Sequence, residues 1–295
     1  EKTVMRLLRE NASGFTLEGL GFHGNGLEAL HKSLKLTTGM ILATGPTGSG
    51  KTTTLYTMLD ILNQPDVNIS TIEDPIEYQM KRVNQTQVKP EIGLTFANGL
   101  RSLLRQDPNI IFVGEIRDGE TAGIAVNAAL TGHQVFSTLH TNDAATAIPR
   151  LTDMKVEPFL VASTVNVIIA QRLIRRICDS CRISTTITQQ DLEKDLPEEI
   201  ILRHYLPVGE KKEIRSYRGK GCKSCHYTGY SGRIGIFEVL EVSKKIRELI
   251  TQKNDSDLIA KAAVEEGMTT MLDDGLQKVA KGLTTLEEVL RVIQE

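Results

Sequence analysis

The chain has 295 residues, of which 40% are hydrophobic and 24% are charged, an ordinary composition for globular domains with their own cores. Its 35 Lys and Arg residues against 37 Asp and Glu residues leave a formal net charge of -2, which gives no overall attraction for nucleic acid. The longest apolar stretch, residues 159–170, contains Ser, Thr and Asn and is shorter than the roughly 18 apolar residues of a membrane span. We therefore expect a core helix there and no direct membrane span.

The first 26 residues do not show the pattern of a complete domain. Residues 1–10 look like the end of an element whose body lies outside this sequence. Residues 11–26 are rich in Gly, Asn and Ser, which predicts a linker. Because the sequence begins at Glu1 with no Met and no targeting signal, we expect it to be a piece of a longer protein.

Beyond the linker, short apolar runs alternate with helical patterns. Strands are predicted at 40–44, 67–72, 110–113 and 134–139. Helices are predicted at 27–36, 52–62, 95–105, 120–130 and 157–172. Strands that alternate with helices indicate an α/β fold with a mostly parallel sheet covered on both faces. Ligands of such folds bind at the carboxyl ends of the strands.

The pattern changes after residue 172. Periodicity lapses in a cysteine-bearing segment, which includes a polar, acidic insert at 185–199. Residues 232–242 alternate and predict a strand or hairpin, and the remainder predicts three or four helices broken at Asn254, Gly267 and Gly282. The predicted organisation is a terminal segment and linker at 1–23, an α/β core at 24–172, a cysteine-bearing subdomain at 173–232 and a C-terminal helical subdomain at 233–295.

A glycine-rich loop connects the strand at 40–44 to the helix at 52–62, and it fits the pattern G-x-x-x-x-G-K-[ST] at every fixed position. Its glycines allow positive φ and turn N–H groups inward, so that a phosphate can sit at the helix N-terminus. Lys51 can then reach the β- and γ-phosphates of a nucleotide, and the Thr52 hydroxyl can ligate Mg²⁺. The alternative is a flexible turn. The predicted nucleotide-binding residues are Gly45, Pro46, Thr47, Gly48, Ser49, Gly50, Lys51, Thr52 and Thr53.

Two acidic motifs follow predicted strands, where nucleotide hydrolysis would need a base and a carboxylate near the metal. The first, at 71–77, reads Thr-Ile-Glu-Asp-Pro-Ile-Glu, and the second, at 110–115, occupies the position of a Walker B strand. Gly114 stands where the usual metal-binding Asp would be, which leaves Glu115 as the candidate. The alternatives are a plain turn at the Asp-Pro sequence and an ion pair of Glu115 with Arg117.

His133 and His140 bracket the strand at 134–139. On the residues alone, a histidine in such a place is more often a hydrogen-bonded core residue than a catalyst. Three arginines could point at phosphate or at a neighbouring subunit, with exposed salt bridges as the alternative. These arginines are Arg101, Arg105 and Arg117.

The four cysteines form two C-x-x-C pairs about forty residues apart, a spacing typical of a zinc site in a chain of this size. Four thiolates leave no open coordination position, which predicts a structural Zn²⁺ and a reducing, cytoplasmic compartment. Redox-active pairs and free thiols are alternatives, and a DNA-reading zinc ribbon is a further one because basic residues lie nearby. The predicted ligands are Cys178, Cys181, Cys222 and Cys225, and the basic neighbours are Arg172, Arg175, Arg176 and Lys220.

Together these motifs resemble the secretion ATPase family, specifically the type II secretion and type IV pilus assembly motors of the GspE/PilB type. The matching segments occur in the family's order over almost the whole chain: 45–53, 71–77, 105–108, 114–118, 131–142, 170–173 and the four cysteines. The resemblance implies a RecA-like P-loop NTPase core with a tetracysteine zinc-binding insertion and a C-terminal helical subdomain, acting as an ATP-hydrolysing motor.

The resemblance also implies roles for individual residues. Glu77 would be the base that activates water, Glu115 the Walker B glutamate, and His133 and His140 the histidines that sense the γ-phosphate. Arg6 resembles an arginine of an N-terminal domain that closes over the nucleotide, most of which lies outside this sequence. The family further implies ATP, Mg²⁺ and Zn²⁺, a homo-hexamer, and a cytoplasmic position at the inner membrane through platform proteins.

Two other functions are compatible with the sequence. Related parallel-sheet ATPases pump DNA, so a nucleic-acid motor is the alternative, which stimulation of ATP hydrolysis by DNA would favour. A nucleotide-dependent switch without turnover is disfavoured because the sequence contains no Asn-Lys-x-Asp guanine motif. The sequence does not separate secretion from pilus assembly, since both use the same motor.

Overall fold

The computed structural model describes residues 14–188, 192–194, 196–197, 200 and 213–294. These residues form two compact units. The first comprises the described residues up to Gln171 together with Glu238–Met268, and the second comprises those of Arg172–Phe237 and Thr269–Glu295. Arg6, the predicted element at 1–10 and part of the acidic insert at 185–199 lie outside the described residues. The predicted segment boundaries stay predictions.

The described strands are β1 Gly39–Thr44, β2 Ile69–Glu73, β3 Val83–Gln87, β4 Ile110–Val113, β5 Gln134–Leu139, β6 Val165–Ile177, β7 Arg182–Thr188, β8 Glu213–Gly219 and β9 Tyr230–Glu241. Seven of them form the main sheet in the order β3-β2-β4-β5-β1-β6-β9. The pairs β1/β5, β1/β6, β2/β3, β2/β4 and β4/β5 are all parallel. Every residue of β1, β2, β4 and β5 is buried, as expected for parallel strands covered on both faces.

The described helices are α1 Leu17–Leu20, α2 Gly24–Leu34, α3 Lys51–Leu62, α4 Phe96–Leu103, α5 Gly119–Leu130, α6 Ala147–Asp153, α7 Pro158–Thr164, α8 Lys244–Thr251, α9 Ser256–Glu265, α10 Met271–Ala280 and α11 Leu286–Gln294. α3, α5 and α7 pack against β1, and α4 packs against β2. Side-chain oxygens of Thr95 and Asp118 accept backbone N–H groups in the first turns of α4 and α5, which caps these helices. Among the helices described, none combines the length and the apolar character needed to cross a membrane.

This architecture confirms the predicted α/β fold with a mostly parallel sheet. The four strands predicted in the core are present, and the C-terminal region forms the helices α8 to α11. Breaks occur at the predicted positions, because Gly267 and Gly282 adopt positive φ just beyond the ends of α9 and α10.

The predicted helix at 157–172, and with it the core helix expected at 159–170, is wrong beyond Thr164. α7 ends there, and Val165 begins β6. The run that follows is rich in β-branched residues, whose restricted χ1 angles favour a strand. Because β6 lies between β1 and β9, its apolar residues face both sides, and the sequence lacks the alternation that would have revealed a strand.

The linker predicted at 11–26 is wrong from Leu17 onward. α1 begins at Leu17 with Thr16 as its N-cap, and α2 begins at Gly24. Leu17 and Phe22 are buried, so this segment contributes to the core of the first unit. Three further strands were not predicted from the sequence: β3 and the antiparallel pair β7/β8, in which every second residue of β7 is exposed.

The second unit has its own hydrophobic cluster, formed by Leu192, Leu196, Leu276 and Leu286. The helix α10, which contributes Leu276 to this cluster, also packs against β8. α10 also carries a buried ion pair, in which Lys278 donates to Asp274 at 2.5 Å. Asp274 in turn accepts the backbone N–H of Phe237 at 2.7 Å, so its carboxylate is hydrogen-bonded as burial requires.

Candidate functional site

The glycine-rich loop joins the end of β1 to the start of α3. Gly45, Gly48 and Gly50 have φ values of 139°, 81° and 91°, which side-chain-bearing residues disfavour. A Cβ atom at Gly45 would lie 2.5 Å from the carbonyl oxygen of Gln171, so the position accepts only glycine. Because α3 begins at Lys51, the unpaired N–H groups of its first turn and its positive dipole end adjoin the loop. The loop therefore has the geometry that binds a phosphate.

Lys51 lies against this loop and is only 9% exposed. Its ammonium nitrogen donates to the carbonyl oxygens of Gly45 at 2.8 Å and Pro46 at 3.1 Å. The Ser49 hydroxyl is buried without a hydrogen-bond partner among the described residues, while Gln171 Nε2 donates to the Ser49 carbonyl at 2.7 Å. Buried hydroxyls without partners are uncommon, and a phosphate oxygen or a water at the loop would supply one.

Three further predicted segments follow strands at the same edge of the sheet. The register pairs from β1 outward are Thr44 with Leu139, Ser137 with Val113, and Val113 with Ile72. The residues that follow these strands include His140, Glu115 and the segment 74–77. All of them therefore lie at the carboxyl edge of the sheet, where the glycine-rich loop also lies.

Thr44 links this loop to the segment that follows β5. Its hydroxyl donates to the carbonyl of Thr141 and accepts the backbone N–H of Thr141, both at 2.8 Å. The residues that follow Thr141 are held by Glu238 of β9, whose Oε1 accepts the backbone N–H of Ala144 at 2.9 Å. These contacts fix the backbone of His140, which directly precedes Thr141.

Glu115 has two partners in the structure. Its Oε1 lies 2.5 Å from Arg117 Nη2, and its Oε2 lies 3.2 Å from His140 Nε2. The side chain of Glu115 is 11% exposed, whereas those of Arg117 and His140 are 64% and 50% exposed. The hydrogen bond and the charge of Glu115 raise the pKa of Arg117. The ion pair considered as an alternative is thus present, at the same edge of the sheet as the glycine-rich loop.

Gly114 occupies the usual Asp position because β2 and β4 approach closely there. The backbone N–H of Gly114 donates to the carbonyl of Ile72 at 2.8 Å. A Cβ at Gly114 would lie 3.3 Å from both the Ile72 carbonyl oxygen and the Glu73 Cα, a tight contact for any larger residue. This crowding favours glycine at position 114, and Glu115 is the first acidic residue after β4.

Glu77 lies in a half-buried segment that follows β2 and includes the cis peptide bond between Asp74 and Pro75. A second glutamate, Glu73, is the last residue of β2, is 2% exposed and was not among the predicted site residues. Its carboxylate accepts hydrogen bonds from the side chains of Tyr56, Thr71 and Gln85. The available signal was an acidic residue at the end of an otherwise apolar strand, two residues after a threonine on the same face.

The two predicted histidines lie at opposite ends of β5. His133 precedes the strand, and its carbonyl accepts the backbone N–H of Gly39 at the start of β1. Its ring Nδ1 lies 2.9 Å from the carbonyl oxygen of Ala128 in α5. The glycine-rich loop follows the other end of β1, so the structure does not bring His133 to it, and the predicted phosphate-sensing role has no support from this geometry.

The four cysteines are brought together in the second unit. Their Sγ atoms all lie within 4.8 Å of one another. Three separations are 3.9 Å for Cys178 and Cys222, 3.8 Å for Cys181 and Cys225, and 3.7 Å for Cys222 and Cys225. A tetrahedron with Zn–S bonds of about 2.3 Å has edges of about 3.8 Å, so the sulfur positions fit zinc. A disulfide needs about 2.05 Å, which excludes one at these separations.

Backbone hydrogen bonds hold the cysteine-bearing loops in this arrangement. The N–H of Cys222 donates to Cys225 Sγ at 3.2 Å, and this backbone hydrogen bond lowers the pKa of Cys225 to about 6. The N–H of Cys178 donates to the carbonyl of Gly229, and the N–H of Lys220 donates to that of Cys181. Each cysteine pair is therefore tied to the chain segment beside the other.

Two of the four basic residues near the cysteines, Arg175 and Arg176, are engaged with acidic or aromatic partners. Arg175 bonds to Glu288 through its backbone N–H and its guanidinium, which also lies 4.3 Å from the centre of the Tyr230 ring. Arg176 Nη2 lies 3.6 Å from a carboxylate oxygen of Asp179. These pairings reduce the positive charge that a DNA-reading surface would need.

Comparison with known proteins identifies the family. The family described as "Type II/IV secretion system protein" matches residues 1–291. The chain belongs to this family. That membership confirms the resemblance seen in the sequence motifs, and it agrees with the glycine-rich loop and the acidic residues at one edge of a parallel sheet.

Individual members of the type II/IV secretion system family match the chain throughout. It is 47% identical over 290 residues to the type IV pilus assembly ATPase PilB of Thermus thermophilus, which covers 98% of this chain and 32% of that protein. It is 45% identical over 295 residues to the type II secretion system ATPase E of Vibrio cholerae, covering all of this chain and 56% of that protein. The chain thus spans about a third to a little over half the length of these relatives.

A solved structure supports the fold. The crystal structure of the pilus retraction motor PilT with bound ADP superposes with a TM-score of 0.66 at 31% identity, covering 98% of this chain and 68% of that one. The structure of the Legionella pneumophila ATPase DotB, 22% identical, superposes with a TM-score of 0.64 over 92% of this chain and 63% of that one, which shows the shared fold.

Proposed function

We propose that this chain is the ATP-hydrolysing part of a motor that powers type II protein secretion or type IV pilus assembly. The observation that carries the proposal is the convergence of the glycine-rich loop, His140, Glu115 and the segment of Glu77 at the carboxyl edge of one sheet. The relatives are named as ATPases of these two machines, and the PilT structure is named with bound ADP.

In this proposal, the residues at the carboxyl edge of the sheet have separate roles. The loop N–H groups and Lys51 bind the phosphates of ATP, and Glu77 accepts a proton from the attacking water. The Thr52 hydroxyl and Glu115 would hold Mg²⁺, which supplies positive charge to the β- and γ-phosphates. His140, which bonds to Glu115, orients that carboxylate. His133 and Arg6 receive no role.

The four cysteines would hold a structural Zn²⁺, because the sulfur positions fit a closed tetrahedron. The resemblance to assembly motors supports further proposals for the whole protein. These are a homo-hexamer, a cytoplasmic position and attachment to inner-membrane platform proteins. A nucleic-acid motor gains no support, since the relatives reported above are named for secretion and pilus machines.

The test is release of phosphate from Mg-ATP by the wild-type chain and by Lys51→Ala. We expect a loss of at least about 100-fold in the variant, since Lys51 supplies the charged side chain of the loop. Circular dichroism checks that the variant is folded. A folded Lys51→Ala protein with wild-type turnover would reject the proposed function.

A further inference from the structure

A buried polar cluster lies between α3 and the segment that carries Glu77. Its centre is Tyr56, a residue of α3 that is 1% exposed. The Tyr56 hydroxyl donates to the carboxylate of Glu73. It accepts a hydrogen bond from Gln85 Nε2 at 3.3 Å. A phenol can donate one hydrogen bond and accept others, and this hydroxyl does both within the cluster.

Gln85 of β3 holds the segment that follows Glu77 at two points. Its Nε2 donates to the carbonyl of Tyr78 at 3.1 Å, and its Oε1 accepts the backbone N–H of Met80 at 2.7 Å. Nε2 also lies 3.2 Å from Glu73 Oε1. The backbone from Tyr78 to Met80, which directly follows Glu77, is therefore held by a side chain that itself hydrogen-bonds to Tyr56 and Glu73.

The ring of Tyr56 adds a packing contact to this arrangement. It meets the ring of Tyr78 edge-on, with centroids 4.6 Å apart, and the ring of Phe112 in β4 with centroids 5.7 Å apart. Edge-to-face pairs at these distances are favourable beyond the burial of their surface. Tyr56 therefore contacts the strand that leads to Glu115 as well as the segment of Glu77.

We propose that Tyr56 is a positioning residue for Glu77. It lies on the helix that begins at Lys51, its ring packs against that of Tyr78, the residue after Glu77, and its hydroxyl hydrogen-bonds to Gln85, which binds the Tyr78 carbonyl. It therefore holds the phosphate-binding loop and the base in a fixed relation. This inference rests on the proposed function, in which Glu77 accepts a proton from water. A general base acts only within hydrogen-bond reach of that proton, and a displacement of about 1 Å can cost about 100-fold in rate.

The protonation of the cluster agrees with this role. Burial, and then the charge of Glu73, raise the pKa of Tyr56, so the phenol keeps its proton and remains a donor to the carboxylate. Burial also raises the pKa of Glu73, which hydrogen bonds from Thr71, Tyr56 and Gln85 oppose. Burial raises the pKa of Tyr78 to about 12, so its ring stays neutral.

The central test is Tyr56→Phe, which keeps the ring and its packing but removes the hydroxyl. We expect kcat for ATP hydrolysis to fall by about 10- to 100-fold, with KM and the affinity for Mg-ADP unchanged within about twofold. The matched control is Thr57→Val, which removes a buried hydroxyl from the same helix at similar volume. The Thr57 hydroxyl donates to the Thr53 carbonyl within the helix, so this variant should keep kcat within about twofold.

A double mutant separates positioning from a general loss of stability. If Tyr56 acts through Glu77, Tyr56→Phe should slow hydrolysis by less than about twofold in a Glu77→Gln background, because residues that act as a unit are not additive. A purely structural role would instead give the same fold-reduction in both backgrounds. That result would reject the proposal.

The remaining outcomes keep the two claims apart. An inactive wild-type chain would reject the proposed function itself. A slow Glu77→Gln variant together with a Tyr56→Phe variant at the wild-type rate would reject only the positioning role. If Tyr56→Phe does not fold, Gln85→Leu tests the same positioning, because it removes the hydrogen bonds of the Gln85 side chain to Tyr78 and Met80. We expect a similar loss of kcat at constant KM, and a wild-type kcat would overturn the proposal.

Discussion

His140 Nε2 lies 3.2 Å from Oε2 of Glu115 at the carboxyl edge of the sheet. The second oxygen of that carboxylate is paired with Arg117, so Glu115 is oriented by two basic side chains that are both half exposed or more. A carboxylate held by two partners keeps a defined direction. Movement of the exposed Arg117 would free one oxygen for a cation without disturbing the bond to His140.

The first prediction concerns this carboxylate. Glu115→Gln should raise the Mg²⁺ concentration that gives half-maximal ATP hydrolysis by roughly tenfold, because the amide loses the negative charge that a hard cation prefers. The measurement is phosphate release over a titration of Mg²⁺. Arg101→Gln serves as the control, since Arg101 forms its exposed ion pair with Glu120 and not with Glu115. An unchanged Mg²⁺ requirement in Glu115→Gln would contradict the assignment.

The second prediction concerns the proposed base. Glu77→Gln should bind Mg-ATP with an affinity close to wild type yet hydrolyse it about 100-fold or more slowly, since only basicity is lost. Equilibrium binding of a fluorescent ATP analogue and single-turnover hydrolysis measure the two effects separately. Glu91→Gln, an exposed carboxylate in the same unit, is the matched control. Wild-type hydrolysis by Glu77→Gln would show that another group takes the proton.

The glycine-rich loop and the cysteine cluster could be predicted because their motifs are short and chemically demanding. Each fixed residue of the loop has a steric or hydrogen-bonding reason to be there, as the close approach of Gly45 to Gln171 shows. The predicted cysteine cluster needed no knowledge of the intervening chain. Local motifs of this kind can be recognised in the sequence without knowledge of the tertiary structure.

The parts that could not be predicted depend on tertiary contacts. Residues 165–170 form a strand because β1 and β9 flank them, and a buried apolar run gives no periodicity to distinguish it from a helix. His133 is close in sequence to His140, but β5 separates the two along its length. Tyr56 and Gln85 meet only because α3 and β3 both approach the end of β2, and neither residue belongs to a recognisable motif.

The third prediction concerns acid stability in the second unit. Burial alone would raise the pKa of Glu288, but hydrogen bonds from Arg175 and Arg291 outweigh it and lower the pKa to about 2. Because the folded-state pKa lies below the unfolded one, this group stabilises the fold above about pH 4.3 and loses that contribution as pH falls towards 2. The contribution lost is on the order of 3 kcal/mol.

Chemical denaturation at a series of pH values between 5 and 2 measures this effect. Glu288→Gln should be less stable than wild type at pH 5 and should lose less free energy of unfolding on acidification. The neighbouring variant Glu287→Gln is the control, because Glu287 is exposed and should leave the wild-type pH dependence intact. Equal slopes for wild type and Glu288→Gln would show that Glu288 does not carry the dependence.

The last prediction concerns the metal. The protein purified without added zinc should contain about one Zn²⁺ per chain, since the four sulfurs already have the separations of a closed tetrahedral site. Ligation requires deprotonated thiols that an unfolded loop does not preorganise, so the binding energy acts as local folding energy. A strong chelator should therefore increase amide exchange in the cysteine-bearing loops before it weakens ATP binding, because the first unit has its own core.

Cys181→Ser should lose the metal, whereas Ser180→Ala, an exposed change within the same C-x-x-C pair, should retain it. Metal-free protein with four titratable thiols would exclude the site, and protein whose thiols titrate only after reduction would favour redox-active pairs instead.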